Sequence, residues 1–153
     1  MPAQPPPESL DIEVAAHVIE LVDALPHLVG VTDGSGRVLW MNRSGCEFVG
    51  AEPDQTLTTT DVFGPGIEQR YLDEIRPALV SGRQWSGHLP VRTADGSMAT
   101  VDAVVTGGVD ARGRIRWMAT LAVDVTEQLR READLAHRAS HDPLTGLPNR
   151  VLL

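Results

Sequence analysis

The chain has 153 residues, with 13 Lys and Arg against 21 Asp and Glu for a formal net charge of -8, and 42% of it is hydrophobic. That length suits one domain with appendages and an ordinary core, while the acidic balance argues against a nucleic-acid partner, which needs clustered Lys and Arg. No run of about 18 apolar residues is present to span a membrane, and the single cysteine, Cys46, excludes an internal disulfide and fits a reducing cytoplasm, the expected location.

In chain order, residues 1–9 (MPAQPPPES) lack the basic start and apolar core of a signal peptide and read as a disordered, Pro-rich leader. Ser9 is placed to cap a helix over 10–25, stopped by Pro26, with Val14, Val18, Leu21, Val22 and Leu25 on one face and Glu13, Glu20 and Asp23 away from it. So short a helix needs the domain, or the same helix of a second copy, to bury that face. A strand follows over 28–33, then a hairpin turn at Asp33-Gly34-Ser35-Gly36 and a returning strand over 37–41. Residues 42–49 read as a short helix ended by Gly50, and 51–66 as irregular with one helical turn near Asp61. The next helix, 67–80, carries Ile67, Tyr71, Ile75 and Leu79 in a stripe. Two strands, 84–93 and 97–106, meet at Ala94-Asp95-Gly96, and the last follows the turn Asp110-Ala111-Arg112-Gly113. There Ile115, Trp117, Ala119, Leu121 and Val123 alternate with Arg114, Arg116, Met118, Thr120 and Ala122, the period of a half-buried strand.

At Asp124 the period changes. Asp124 with Glu127 fits a capping box, with Thr126 as the rival cap. From Glu127 to about Ser140 good helix formers dominate, and Leu129, Ala133, Ala136 and Ser140 share one stripe. So thin a seam suits a short coiled coil whose register can shift; the rival reading is a solvated connecting helix that pairs with nothing. Pro143 then ends the helix by forcing Asp142 out of helical geometry, and Gly146 and Pro148 supply turn chemistry.

Two resemblances emerge. The segments DGSGRVLWMN (33–42), GRQWSGH (82–88), RTADGS (92–97) and DVTE (124–127) resemble successive landmarks of PAS domains, and the order of two strands, short helices and three strands is similar to the PAS arrangement. The resemblance implies an α+β fold over about 26–126: a five-stranded antiparallel sheet with short helices on one face, flanked by the N-terminal helix and a C-terminal signalling helix over 127–141. Residues 142–150, DPLTGLPNR, resemble the opening motif of the GGDEF domain, the catalytic domain of diguanylate cyclases. In that family the motif's Asp and Arg pair, which points to Asp142 and Arg150, with Thr145, Gly146 and Asn149 in the same turn. The family's metal-binding Asp, guanine-contacting Asn and GG[DE]EF hairpin are not in the sequence, so 142–153 is expected to be the start of a truncated GGDEF domain. The resemblance implies a non-catalytic fragment: a bacterial cytoplasmic sensor and dimerisation module coupled to a cyclase that would use GTP and Mg to make cyclic-di-GMP. Two alternatives stand beside it: a ligand-free dimerisation module, or the sensor of a parent that also carries a cyclic-di-GMP phosphodiesterase domain.

For the sensor, Trp85, Gly87, Leu89 and Val91 share one strand face, and Trp117 shares a face with Leu121. Both Trp rings are expected to face the inner core, where Trp85, Leu89, Trp117 and Leu121 are plain core or line a ligand pocket. Haem-binding PAS domains commonly take a His from the helix before the third strand, yet 67–80 has none, and His88 falls opposite Trp85. Flavin photosensors place a reactive Cys in an NCRF-like motif, whereas Cys46 sits in GCEF and reads as a small buried apolar residue. His137 and His141 have zinc-compatible spacing but are expected to lie exposed beside the seam. The residues thus argue against haem, a flavin adduct and a metal, and leave the cofactor unknown. The expected partners are a second copy and an unidentified small molecule, with neither nucleic acid nor membrane.

Overall fold

The computed structural model of the chain describes residues 8–149; residues 1–7 of the leader and residues 150–153 lie outside it. Its elements are α1 (Glu8–Ala24), β1 (Leu28–Asp33), β2 (Val38–Met41), α2 (Arg43–Val49), α3 (Thr59–Phe63), α4 (Ile67–Arg70), a π-helical turn (Tyr71–Ile75), α5 (Arg76–Val80), β3 (Trp85–Arg92), β4 (Met98–Val109), β5 (Ile115–Asp124) and α6 (Thr126–Ser140). The strands form one antiparallel sheet in the order β2-β1-β5-β4-β3, so the last strand to be made lies in the middle. Helix α1 begins at Glu8, so Ser9 lies inside it rather than capping it.

Each β-hairpin is closed by an aspartate. Asp33 accepts from the Ser35 and Arg37 amides, Asp95 from the Ser97 amide, and Asp110 from the Arg112 and Arg114 amides. A short carboxylate that bonds the backbone two residues on is the reason Asp-Gly sequences turn. These bonds hold the three carboxyls below the usual range: through the Ser35 hydroxyl first for Asp33, the Ser97 hydroxyl first for Asp95, down to about 2, and the Arg114 amide first for Asp110.

Asn42 joins the N-terminal elements. It is fully buried, its Oδ1 accepts from the amides of Val29 (2.9 Å) and Gly45 (3.0 Å), and its Nδ2 donates to the carbonyls of Val22 (2.9 Å) and His27 (2.8 Å). One side chain caps α2 and holds both the start of β1 and the end of α1. Asp23, near the end of α1, adds a second tie by accepting from the Arg43 amide (2.7 Å), whereas every residue from Ile12 to Leu21 is exposed.

Helices α3 to α5 cover one face of the sheet. The core there comprises Phe63, Ile67, Ile75 and Leu79 against Trp85, Leu89, Val91, Val101, Val105, Met118 and Ala122. The expected single helix over 67–80 is interrupted by the π turn because Pro77 cannot donate to the carbonyl one turn before it, and a wider turn absorbs the misfit.

On β5 the expected faces are reversed. Trp117 and Leu121 are 43% and 41% exposed on the outer face, whereas Met118 and Ala122 are buried on the inner one. β5 is the central strand and both its faces carry apolar residues, so alternation alone does not orient it. Packing does: the inner face must admit side chains from α3 to α5, which favours Thr120 and Ala122 there. The Trp117 ring lies across Gly108, its register partner, where a Cβ would collide with the indole. Trp85 is buried as expected, its ring over Gly87.

Candidate functional site

Between the sheet and the helices lies a cavity of about 430 Å³. Phe63, Ile67, Ile75, Leu89, Val105 and Met118 give it apolar walls; Thr32, Thr59, Tyr71 and Thr120 add hydroxyls. Its mouth is marked by exposed Ser35, Thr58, Glu68 and Leu72. The π turn puts the neighbours Tyr71 and Leu72 both on the cavity, together with Ile75. Burial pushes the Tyr71 phenol above its ordinary range, with Arg76 acting in the opposite sense.

Of the four residues expected at a pocket, only Leu89 lines this one. Trp117 and Leu121 face away. Trp85 sits in the core beside it, its Nε1 donating to Glu74 (3.1 Å) and its ring 5.2 Å from the Arg70 guanidinium. Arg70 also donates to the His88 carbonyl (2.6 Å) and to Glu74 (3.0 Å), and these bonds, Arg70 first and Trp85 after it, hold the Glu74 carboxyl below its ordinary range. The remaining cavity residues escape a reading of the sequence because Ile67 and Ile75 look like ordinary core there, and the Thr58-Thr59-Thr60 run gives no period.

The junction between β5 and α6 is built differently from the expected capping box. Asp124 Oδ1 accepts from the Thr126 amide (2.9 Å) and hydroxyl (2.6 Å), but Glu127 pairs with Arg131 one turn on instead of reaching back, and no side chain caps Val125. Glu127 has a cationic partner at i+4, and Thr126 has a backbone partner on the sheet. The Thr126 hydroxyl, its one proton given to Asp124, accepts from the Thr100 amide (2.8 Å), while the Val125 amide donates to the Thr100 carbonyl (2.9 Å). The first turn of α6 is thereby tied to β4 and β5. On α6, Leu129 is half-buried while Ala133 and Ala136 are exposed.

After α6 the chain closes a compact turn. Asp142 Oδ1 accepts from the amides of Leu144 (2.8 Å) and Thr145 (3.1 Å), the Asp142 amide donates to the Leu147 carbonyl (2.8 Å), and Gly146 takes φ +66°, which side chains disfavour. The Asn149 amide donates to the Ser140 carbonyl, closing the turn on the helix end. Arg150, the expected partner of Asp142, lies outside the described residues.

The His137 and His141 rings stack at 4.2 Å, and among the described residues no group of three or more His, Cys, Asp and Glu is placed to hold a metal. Cys46 is half-buried in α2 rather than fully buried, its Sγ 3.6 Å from the Met41 carbonyl, and burial first, then Asp23 and Glu47, pushes its thiol pKa up. Among the described residues no helix is long and apolar enough to cross a membrane.

An antiparallel five-stranded sheet with short helices and a cavity on one face defines a class of small sensory domains. A family model described as "PAS fold" matches residues 22–130, and the chain belongs to that family. Solved structures agree. The chain is similar to the PAS domain of a protein from Colwellia psychrerythraea (TM-score 0.65, 16% identity, 74% of this chain and 98% of that one). It is similar also to a sensory box histidine kinase/response regulator from Burkholderia thailandensis (TM-score 0.58, 18% identity, 84% and 93%). A PAS domain from a two-component sensor histidine kinase is a third (TM-score 0.61, 14% identity, 77% and 99%). At these identities the likeness is one of fold. No curated protein matches the chain.

Proposed function

We propose that this PAS domain is the regulatory sensor of a cyclic-di-GMP signalling protein, with α6 as the output helix and residues 142–150 as the opening turn of a diguanylate cyclase domain. The carrying observation is the continuity of the parts: the cavity residue Val105 and the α6 anchor Thr100 lie on one strand, β4, and α6 runs directly into the turn over residues 142–149, which opens the DPLTGLPNR sequence. A PAS domain has no catalytic role of its own, so the chemistry, condensation of two GTP with Mg, would belong to the cyclase domain beyond α6. The test is to express the chain with the polypeptide encoded after Leu153 and to quantify cyclic diguanylate formed from GTP and Mg. Product from the longer protein and none from the 153-residue chain is expected; a longer protein that makes none, in any state of its sensor, refutes the reading.

We also propose that the module works as a homodimer. Ile12, Val14, Val18, Ile19 and Leu21 on α1 are exposed, as are Trp117 and Leu121 on the outer sheet face, and exposed apolar surface of that extent calls for a cover. Light scattering should give twice the 16.5 kDa chain mass, and Leu121→Glu should shift it toward the monomer. A strict monomer at micromolar concentration refutes the dimer.

A further inference from the structure

The cavity carries a second observation that bears on what it takes. Thr32, on the inner face of β1, is 8% exposed, and its hydroxyl has no hydrogen-bond partner. Buried polar atoms are almost always paired, so each exception calls for an explanation. Thr32 lines the cavity, opposite Met118 in the β1–β5 register and near Thr120, both of which also line it.

Charge narrows the choice. No Lys, Arg or His is among the lining residues, and the one ionisable carboxyl there, Glu68, is exposed at the mouth. Three arginines adjoin lining residues in sequence: Arg70 is spent on Glu74, the His88 carbonyl and the Trp85 ring, and Arg37 and Arg76 are exposed. A carboxylate or phosphate taken inside would leave water with no counter-charge to replace it, a cost that ordinary binding does not recover. Size fits a small molecule: 430 Å³ lies in the range of about 300–1,000 Å³ typical of ligand pockets.

We propose that this cavity takes a small uncharged ligand with an apolar body and one hydrogen-bonding end, the polar end meeting Thr32 and the body lying against Phe63, Ile67, Ile75 and Leu89. This inference rests on the sensor reading above and adds the ligand class to it. The hydroxyl of Thr32 both donates and accepts, so an alcohol, ketone or amide satisfies it. The body replaces water against apolar walls, and Leu72 stands where the ligand enters.

The test uses four probes on one six-carbon skeleton, hexanamide, 1-hexanol, hexanoate and hexylammonium, titrated into the chain and followed by amide chemical shifts at Thr32, Val105 and Met118. Hexanamide and 1-hexanol should shift these residues, and both ions should bind at least tenfold more weakly. Thr32→Val, which replaces the hydroxyl by a methyl, should weaken hexanamide by roughly threefold to tenfold, whereas Thr32→Ser should keep its affinity, which separates the hydroxyl from any effect of folding. Either ion binding as tightly as hexanamide overturns the uncharged class while leaving the cavity as the sensor site. Unchanged hexanamide affinity in Thr32→Val overturns the role of Thr32. If no probe shifts the cavity amides of the folded chain up to its solubility limit, the ligand proposal and the ligand-sensing reading fall together.

Discussion

Replacing Asn42 tests how the N-terminal helix is held to the domain. Asn42→Ala removes four hydrogen bonds, leaving the amides of Val29 and Gly45 and the carbonyls of Val22 and His27 without that partner. At about 0.5–1.5 kcal/mol net each, the loss sums to roughly 2–6 kcal/mol, toward the lower end because water reaches part of the site once the side chain is gone. A domain has only about 5–15 kcal/mol to lose, and at about 2–4 °C per kcal/mol the melting temperature should fall by roughly 5–20 °C. Asn42→Ser is the control, since a serine oxygen still caps α2 and should recover about 1 kcal/mol. Thermal denaturation followed by circular dichroism gives both numbers, and amide exchange in the last turn of α1 should rise in Asn42→Ala. A fall of less than about 2 °C, with α1 exchange unchanged, would show that other contacts hold α1 and that the four bonds are redundant.

The junction, the thiol and the turns carry further expectations. Thr126→Val loses the hydroxyl's bonds with the Thr100 amide and the Asp124 carboxylate and should cost about 1–3 kcal/mol, with faster amide exchange confined to the first turn of α6; exchange that spreads through β4 would mean the residue supports the whole sheet. Because burial raises the Cys46 thiol above its ordinary value, alkylation by iodoacetamide at pH 8 should be slower than for an exposed cysteine and should rise only at higher pH. Asp95 is lowered from 3.8 to about 2 by the Ser97 and Thr93 bonds. Its contribution is therefore present above the unfolded value and lost as pH falls through that interval. The melting temperature should decline between pH 4 and pH 2, and Asp95→Asn should flatten part of that slope; an unchanged slope would assign it to the other turn carboxylates.

Much of this fold was legible where local chemistry decides it. β1 has the expected bounds, Leu28–Asp33, because β-branched residues end there at an Asp-Gly turn whose side chain closes on its own backbone. Helix α2 follows from Asn42 as cap and Gly50 at its end, φ +71°. What tertiary packing decides was not legible. The two faces of β5 are both apolar in sequence, and only the helices above the sheet assign Met118 inward and Trp117 outward. The box at Asp124 and Glu127 is a good local pattern that lost to two partners farther away, Arg131 on the helix and Thr100 on the sheet. The cavity was the least legible feature, since its lining comes from β1, the turn after it, the helical segment 58–75 and all three C-terminal strands.

On the proposed reading, β5 is where these properties meet. Its inner residues Met118 and Thr120 line the cavity, its outer residues Trp117 and Leu121 are exposed, and its last residue, Asp124, holds the first turn of α6. Thr120 and Asp124 are four residues apart, about 13 Å along a strand. The strand is paired on both sides, with β1 over Leu28–Asp33 and with β4 over Val101–Val109, so it is too well held to change shape between those points. A ligand can therefore act on α6 only by tilting β5 with its neighbours or by changing the bonds that Asp124 and Thr100 make to Thr126. The second route is small in energy: at about 0.5–1.5 kcal/mol each, those bonds are worth roughly 1.5–4.5 kcal/mol together. Allosteric couplings are typically about 1–3 kcal/mol, or about 5–150-fold in an equilibrium. The junction is thus weak enough for a small ligand to shift and strong enough for the shift to matter, whereas a rigid fusion of β5 to α6 would answer only to forces that unfold the sheet.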